Sequence, residues 1–318
     1  MPDALFAHFR SLLPYFSRMR NGASGALTRQ PGSFAAAKSS FASAKSSFAS
    51  AKGGIACNTL LTAVGLLSGF SGRPGTTSPA NPAAHPYKVH TVVIDAGHGG
   101  KDRGCNGKTA YEADVALKLA LALGRRIEDS MPGVDVIYTR KTDVFIELIE
   151  RAEIANRAAA DVFISIHLNS GPAAARGTEI WVMGTAKSTA NLAVAKRENA
   201  VVLQETNYKK NYGGFDPHSP QSHILFSLFQ SAYRDNSLRF AQAADKQLRA
   251  AARPSRGVKE AGFIVLWKTA MPSVLIEAGF LTNPQDEKLL NTSAGQTYTA
   301  LALFRAFKNY KQQLEALD

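Results

Sequence analysis

Residues 88–318 predict an α/β fold, a single domain whose mixed, mainly parallel sheet is flanked by helices on both faces. Three observations lead there. Short β-branched apolar runs recur along the chain. Stretches with helical apolar spacing separate them, which is the alternation that builds βαβ units. Polar residues able to do chemistry fall just beyond several of the runs, where ligands collect in open α/β sheets.

Taken in order, Val89–Ile94 is a β-branched run that ends in Asp95-Ala96-Gly97-His98-Gly99-Gly100. Glu112–Asp129 has helical spacing through Val115, Leu119, Ala122, Leu123 and Ile127, and Val134–Tyr138 is strand-like again, closing a first β-α-β unit. Phe145–Ala160 reads as a helix, Val162–Ile166 and Thr178–Met183 as strands, and Asn236–Ala252 as a helix. Phe263–Trp267 and Val274–Ile276 read as strands, and Thr297–Leu314 as a closing helix.

The front of the chain has a different character. Residues 33–53 hold three seven-residue repeats, SFAAAKS, SFASAKS and SFASAKG, too poor in large apolar residues to build a core. We therefore expect 1–54 to be a basic low-complexity leader. An apolar run from Ile55 to Phe70 follows Lys52-Gly53-Gly54 and precedes small residues, the pattern of a signal peptide or anchor over 55–72, with a linker at 73–87. Its distance from Met1 implies either a start further in, at Met19, or an uncleaved anchor. Export to the cell envelope, with a periplasmic location, is the expectation, and any membrane contact would run through this segment alone. Cys57 stands at the start of the apolar run, whereas lipid attachment needs a cysteine after it.

Lys plus Arg outnumber Asp plus Glu by 37 to 25. Eight of the bases and one acid lie in residues 1–87, which leaves 29 against 24 for the folded part. The excess belongs to the leader, which lacks aromatic platforms, so nucleic acid is not an expected partner. Cys57 and Cys105 are the only cysteines, and a disulfide scaffold is excluded.

The chemical candidates are His98, His167 and Glu277, each at or past the end of a strand, and Glu112 at the start of a helix. Two imidazoles and a carboxylate are a common ligand set for a hydrolytic metal, and a further carboxylate nearby can accept the proton of water. Each has a plainer reading. Thr109-Ala110-Tyr111-Glu112 has the spacing of a helix capping box. Glu277 ends an apolar run and must have a partner, for which Lys259 and Arg256 are candidates. Arg140 and Arg151 are expected to be structural, paired with Asp143 or Glu147.

Read together and in order, Asp95-Ala96-Gly97-His98-Gly99-Gly100, Glu112, Thr139-Arg140, Arg151, Ser165-Ile166-His167-Leu168-Asn169, Arg256-Gly257-Val258-Lys259 and Met271-Pro272-Ser273-Val274-Leu275-Ile276-Glu277-Ala278-Gly279-Phe280 resemble the zinc-dependent N-acetylmuramoyl-L-alanine amidases. The resemblance covers essentially all of 88–312. It implies that His98, Glu112 and His167 bind Zn²⁺, that Glu277 is the catalytic carboxylate, and that the substrate is peptidoglycan. The bond cut would join the lactyl group of N-acetylmuramic acid to L-alanine of the stem peptide. The glycines around His98 would let the backbone turn closely about the metal, and Asp95 is a candidate to orient a ligand imidazole.

About 50 residues separate the strand ending near Met183 from the helix starting near Asn236, far more than the usual 2–6 of such a connection. Ala190–Glu205 and Ile224–Tyr233 within it have helical character. Residues 188–235 are thus a candidate regulatory insertion. Resemblance to cell-separation amidases implies a helix that covers the zinc site with a blocking glutamate, Glu198 or Glu205, released by an activator protein. A helix that merely packs on the sheet fits the same pattern. Two rival functions stand beside the amidase: a wall-binding or regulatory domain that does not cleave, and a zinc hydrolase of other specificity, such as a peptidase.

Overall fold

A computed structural model describes residues 88–227 and 232–316. The expectations for the leader, the 55–72 segment, the linker and residues 228–231 of the insertion lie outside the described residues. Six strands form one sheet in the order β2-β1-β3-β6-β4-β5. They are β1 (Thr91–Ala96), β2 (Asp135–Tyr138), β3 (Val162–Asn169), β4 (Thr178–Met183), β5 (Ser255–Ala261) and β6 (Ser273–Phe280). All neighbouring pairs are parallel except β4 with β6, so the sheet is mixed and mainly parallel, as expected.

Alternation along the central strands sends side chains to two cores. Val92, Ile94, Ile164, Ile166, Val274 and Ile276 pack with helices α1 (Glu112–Ser130), α6 (Arg234–Ala250) and α9 (Ser293–Glu315). Val93, Phe163, Trp181 and Leu275 face the other way, onto α2 (Leu148–Arg157), α7 (Ile264–Trp267) and part of the insertion. Because both faces of β3 and β6 are covered, each is buried along its whole length, which favours continuous apolar runs over a polar-apolar alternation.

The insertion holds α3 (Thr189–Asn199), a 3₁₀ turn (Ala200–Gln204), α4 (Tyr208–Asn211) and α5 (Pro220–Ser227). Ser188 starts α3 by accepting the Asn191 amide at 3.1 Å, the side-chain cap that an exposed helix start needs. Helix α8 (Pro284–Leu290) begins in the same way, with Asn283 accepting from Gln285 and Asp286 and proline at the first helical turn.

Two sequence expectations change, and one strand is added. Phe263–Trp267 is not a strand. Ile264–Trp267 forms the short buried helix α7, whose side chains fill the second core. The strand in this part of the chain is instead β5, whose residues Ser-Arg-Gly-Val-Lys-Glu-Ala show no apolar alternation. The capping box at Thr109 does not form either: Tyr111 is the cap residue of α1 and makes no side-chain cap bond, while the Thr109 amide and hydroxyl both donate to Glu287, at 2.6 and 2.9 Å.

Candidate metal and catalytic centre

The site stands at the carboxyl ends of β1, β3 and β6. In parallel register His167 of β3 pairs with Glu277 of β6, and across the antiparallel seam Glu277 pairs with Glu179 of β4. All three residues therefore rise from one face of the sheet, the face that carries Phe163, Trp181 and Leu275.

Beyond β1 the chain turns sharply. His98 has a φ of 58°, a left-handed conformation that costs a residue with a side chain roughly 1–2 kcal/mol, so its surroundings must hold it. Arg140 and Arg151 do so. Arg140 donates to the carbonyls of Ala96 (2.9 Å), Gly97 (2.8 Å) and Ala113 (2.8 Å), and Arg151 to those of Ala96 (2.7 Å) and His98 (2.9 Å). Both are structural, as expected, but their partners are not Asp143 or Glu147. Asp143 accepts from the Gly100 amide and Glu147 from the Thr206 amide. Arg151 instead pairs with Asp95 at 2.8 Å. Asp95 also accepts from Thr139 (2.6 Å) and Ser165 (2.6 Å), which ties the ends of β1, β2 and β3 together and lowers its pKa against the cost of its burial. It hydrogen-bonds no imidazole, contrary to the expected role. That bond belongs to Asp102, which is 2.7 Å from His98 Nδ1.

Glycine is required at two points of the centre. A Cβ on Gly97 would lie 2.5 Å from the His167 ring, and one on Gly104, which has a φ of 66°, would lie 2.6 Å from Glu112 Oε2.

His98, Glu112, His167 and Glu198 converge, each offering one ligand atom, with all four atoms within 4.8 Å of one another. His98 Nε2 is 3.1 Å from Glu112 Oε1 and 3.3 Å from Glu198 Oε2. His167 Nδ1 is 3.1 Å from Glu112 and 3.1 Å from Glu198. Yet His98 Nε2 and Glu198 Oε2 are buried and make no hydrogen bond. Their atoms point at a common centre rather than at one another. Buried polar atoms without partners are costly, and a cation among two imidazoles and carboxylates removes that cost, so this donor set fits a metal ion such as zinc.

The charges agree. Burial pushes Glu112 up, but the two histidines outweigh it and hold its carboxyl below the ordinary range. Glu198 is likewise held well below normal, against its burial, by Arg197 and both histidines. Burial works against charged imidazoles, but facing carboxylates raise His98 well above its usual value and His167 to about 9.

Glu277 is fully buried, and its Oε2 lacks a partner. Burial first, then the Glu198 and Glu112 charges, push its pKa well above that of an ordinary carboxylate, with Arg197 pulling the other way. The candidate ion pairs with Lys259 and Arg256 do not form. Both bases pair with Glu179, at 2.6 and 2.7 Å, and Glu277 meets Arg197 at 3.5 Å. Arg197 also bonds Glu198 (2.9 Å) and Asn169 (2.9 Å).

Glu205, the other candidate blocking residue, is placed elsewhere. It accepts from the Leu148 amide at 2.7 Å and from the Tyr212 hydroxyl at 2.6 Å, pinning the insertion to the start of α2. Sequence reasoning missed Arg197 and Asp102. Asp102 had a signal, a carboxylate four residues after a histidine within one glycine-rich turn, whereas Arg197 had none.

An α/β sheet whose strand ends gather two imidazoles and buried carboxylates is a framework that could hold the metal ion of a hydrolase. Residues 92–309 match the N-acetylmuramoyl-L-alanine amidase family. Among curated proteins, the chain is 34% identical over 224 residues to the N-acetylmuramoyl-L-alanine amidase AmiA of Escherichia coli K12, covering 69% of this chain and 75% of that one. It is 32% identical over 240 residues to the uncharacterised protein YqiI of Bacillus subtilis 168, covering 75% of this chain and 93% of the other. Among solved structures, the N-acetylmuramoyl-L-alanine amidase of Clostridium difficile 630 aligns with a TM-score of 0.52 at 28% identity, over 70% of this chain and 97% of that one. The catalytic domain of the amidase CwlV from Bacillus (Paenibacillus) polymyxa aligns with a TM-score of 0.52 at 27% identity, over 70% and 98%. The chain belongs to the N-acetylmuramoyl-L-alanine amidase family, and it is an amide hydrolase.

Proposed function

We propose that this protein is a zinc-dependent peptidoglycan amidase that cuts the bond between the lactyl group of N-acetylmuramic acid and L-alanine of the stem peptide. The reading rests on one observation: His98 Nε2, His167 Nδ1, Glu112 and Glu198 converge within 4.8 Å while His98 Nε2 and Glu198 Oε2 make no hydrogen bond. His98, His167 and Glu112 would hold the ion. When bound, zinc lowers the pKa of water and polarises a carbonyl.

The other steps fall to this chain's own groups. Glu277, the register partner of His167, accepts the proton of the attacking water and passes it to the departing L-alanine nitrogen. Its raised pKa suits the delivery half of that transfer, because a carboxylate of ordinary pKa holds a proton too weakly to deliver it near neutrality, while the Arg197 charge favours the ionised form that accepts it. Covered strands on both sides keep bulk water from Glu277.

Glu198 is the fourth member of the cluster, where substrate would approach, which supports reading this arrangement as a closed one. We assign the blocking role to Glu198 on α3, with Arg197 holding it, and not to Glu205. Opening moves α3 away, and a partner that binds the insertion is the means we propose. Export through the 55–72 segment and work in wall remodelling or daughter-cell separation complete the proposal. Among the described residues no helix is long and apolar enough to cross a membrane.

The test is mass spectrometry of defined muropeptides incubated with purified protein and Zn²⁺, alongside Glu277→Ala and Glu198→Ala. Free stem peptide carrying an L-alanine amino terminus, lost in Glu277→Ala and increased in Glu198→Ala, supports the proposal. Release of any other fragment replaces the amidase reading with a different hydrolase specificity.

A further inference from the structure

The two histidines of the centre are held in different ways. His167 lies within β3, its backbone fixed in the ladder with β6 and its ring packed on Gly97. That position leaves the ring little room, and it faces the cluster through Nδ1. His98 is in a turn with a left-handed backbone and faces the cluster through the opposite nitrogen, Nε2. No strand fixes its ring. A neutral imidazole has one lone pair, and whichever nitrogen carries the proton cannot bind a metal. A bare turn would leave both tautomers and both ring flips of His98 open.

We propose that Asp102 is a positioning residue that selects the metal-binding face of His98; the inference rests on the zinc reading above. Asp102 Oδ2 is 2.7 Å from His98 Nδ1, both side chains are nearly buried, and a carboxylate accepts but does not donate. In the neutral imidazole that a metal requires, the proton therefore sits on Nδ1, and the lone pair of Nε2 faces Glu112 and Glu198. Asp102 is itself fixed. Its backbone exchanges two hydrogen bonds with Gly99, at 2.7 and 3.2 Å, and its second oxygen accepts from the Gly104 amide at 3.2 Å. One oxygen shapes the turn and the other aims the ligand. Among the described residues no side chain performs this service for His167, whose place in the strand makes it unnecessary. Carboxylates behind ligand histidines characteristically raise metal affinity by about 10–100-fold.

The experiment measures zinc affinity of the purified full chain by competition with a chromophoric chelator, together with melting of the metal-free protein. Asp102→Ala is expected to weaken zinc by about 10–100-fold with Asp102→Asn, which keeps one acceptor, falling between it and the parent. Nitrogen-proton correlation spectra of the zinc-loaded proteins should show the His98 proton on Nδ1 in the parent and a shifted, faster-exchanging signal in Asp102→Ala. A purely structural role would lower melting of the metal-free chain while leaving zinc affinity and the His98 signal unchanged, and that result overturns the proposal. If Asp102→Ala does not fold, equal zinc affinity in Asp102→Asn and parent overturns it as well. His98→Ala is the separate control: if it binds zinc as tightly as the parent, the zinc reading itself fails, and this inference falls with it for that distinguishable reason.

Discussion

Glu277 and Glu198 are both buried carboxylates within reach of Arg197, yet they belong to regions built to different standards. Glu277 sits in β6, between β3 and β4, where ladder hydrogen bonds on both sides fix it. Glu198 sits near the end of α3, a helix that rests on β5 and on its own insertion neighbours. Removing β6 would unmake the sheet, whereas α3 can leave with the sheet intact. The proposed catalytic group and the proposed cover would need this division, because segments that must move come from the parts with the least cooperative support.

The largest effect expected is at Glu277. Glu277→Ala should reduce stem-peptide release by about 10²–10⁴-fold without lowering the melting temperature, since a fully buried carboxylate with one unpartnered oxygen is removed. Substantial residual activity would show that the proton acceptor lies elsewhere. The insertion should respond in the opposite sense. Glu198→Ala is expected to raise basal activity by about tenfold, the change corresponding to about 1.4 kcal/mol in the closed-to-open equilibrium. Deletion of 188–235 should do at least as much. An unchanged rate in a folded Glu198→Ala protein would mean that α3 is a packing helix only.

Glu205→Ala separates the two glutamates of the insertion. It strands the Tyr212 hydroxyl and the Leu148 amide, and so should cost about 1–3 kcal/mol in denaturant unfolding without the activation seen at Glu198. Activation equal to that of Glu198→Ala would merge the two roles. The smallest effect concerns pH. In chelator-treated protein the folded pKa of His167 is raised from 6.5 to about 9 by its carboxylate neighbours. A group with a raised folded pKa binds its proton more tightly when folded, so its contribution is complete below 6.5 and is lost as pH climbs to about 9. Melting of metal-free protein should therefore decline across that window. With zinc bound the histidines are neutral ligands, and the decline should flatten.

The readable parts of the sequence are the parts buried on both faces. In β1, β3 and β6, continuous apolar runs end abruptly in polar residues, so both the strand and its reactive end show. At the sheet edge this signal fails. β5 has only β4 as a neighbour, and its polar residues are free to serve Glu179 and the surface rather than a core. Phe263–Trp267 misleads for the converse reason: four buried apolar positions and the partly buried Trp267 satisfy a core equally as strand or as helical turn, and so short a run carries no period. Thr109 has the right spacing for a cap, but its donors go to Glu287, far along the chain. Asp95 and Asp102 stand on either side of His98, and only the turn decides which of them meets the imidazole.

The pairing of His167 with Glu277 across β3 and β6 has one more consequence. Strand register is an integer, and a slip of one residue would bring Ile276 or Ala278 opposite His167 and turn Glu277 toward the other core. A chain trapped in that arrangement would keep much of its helical content, so circular dichroism would count it as native while it contributed nothing to turnover. Refolded preparations should therefore be judged by active-site titration, because errors in assembling this sheet appear as a silent fraction of molecules rather than as a slower enzyme.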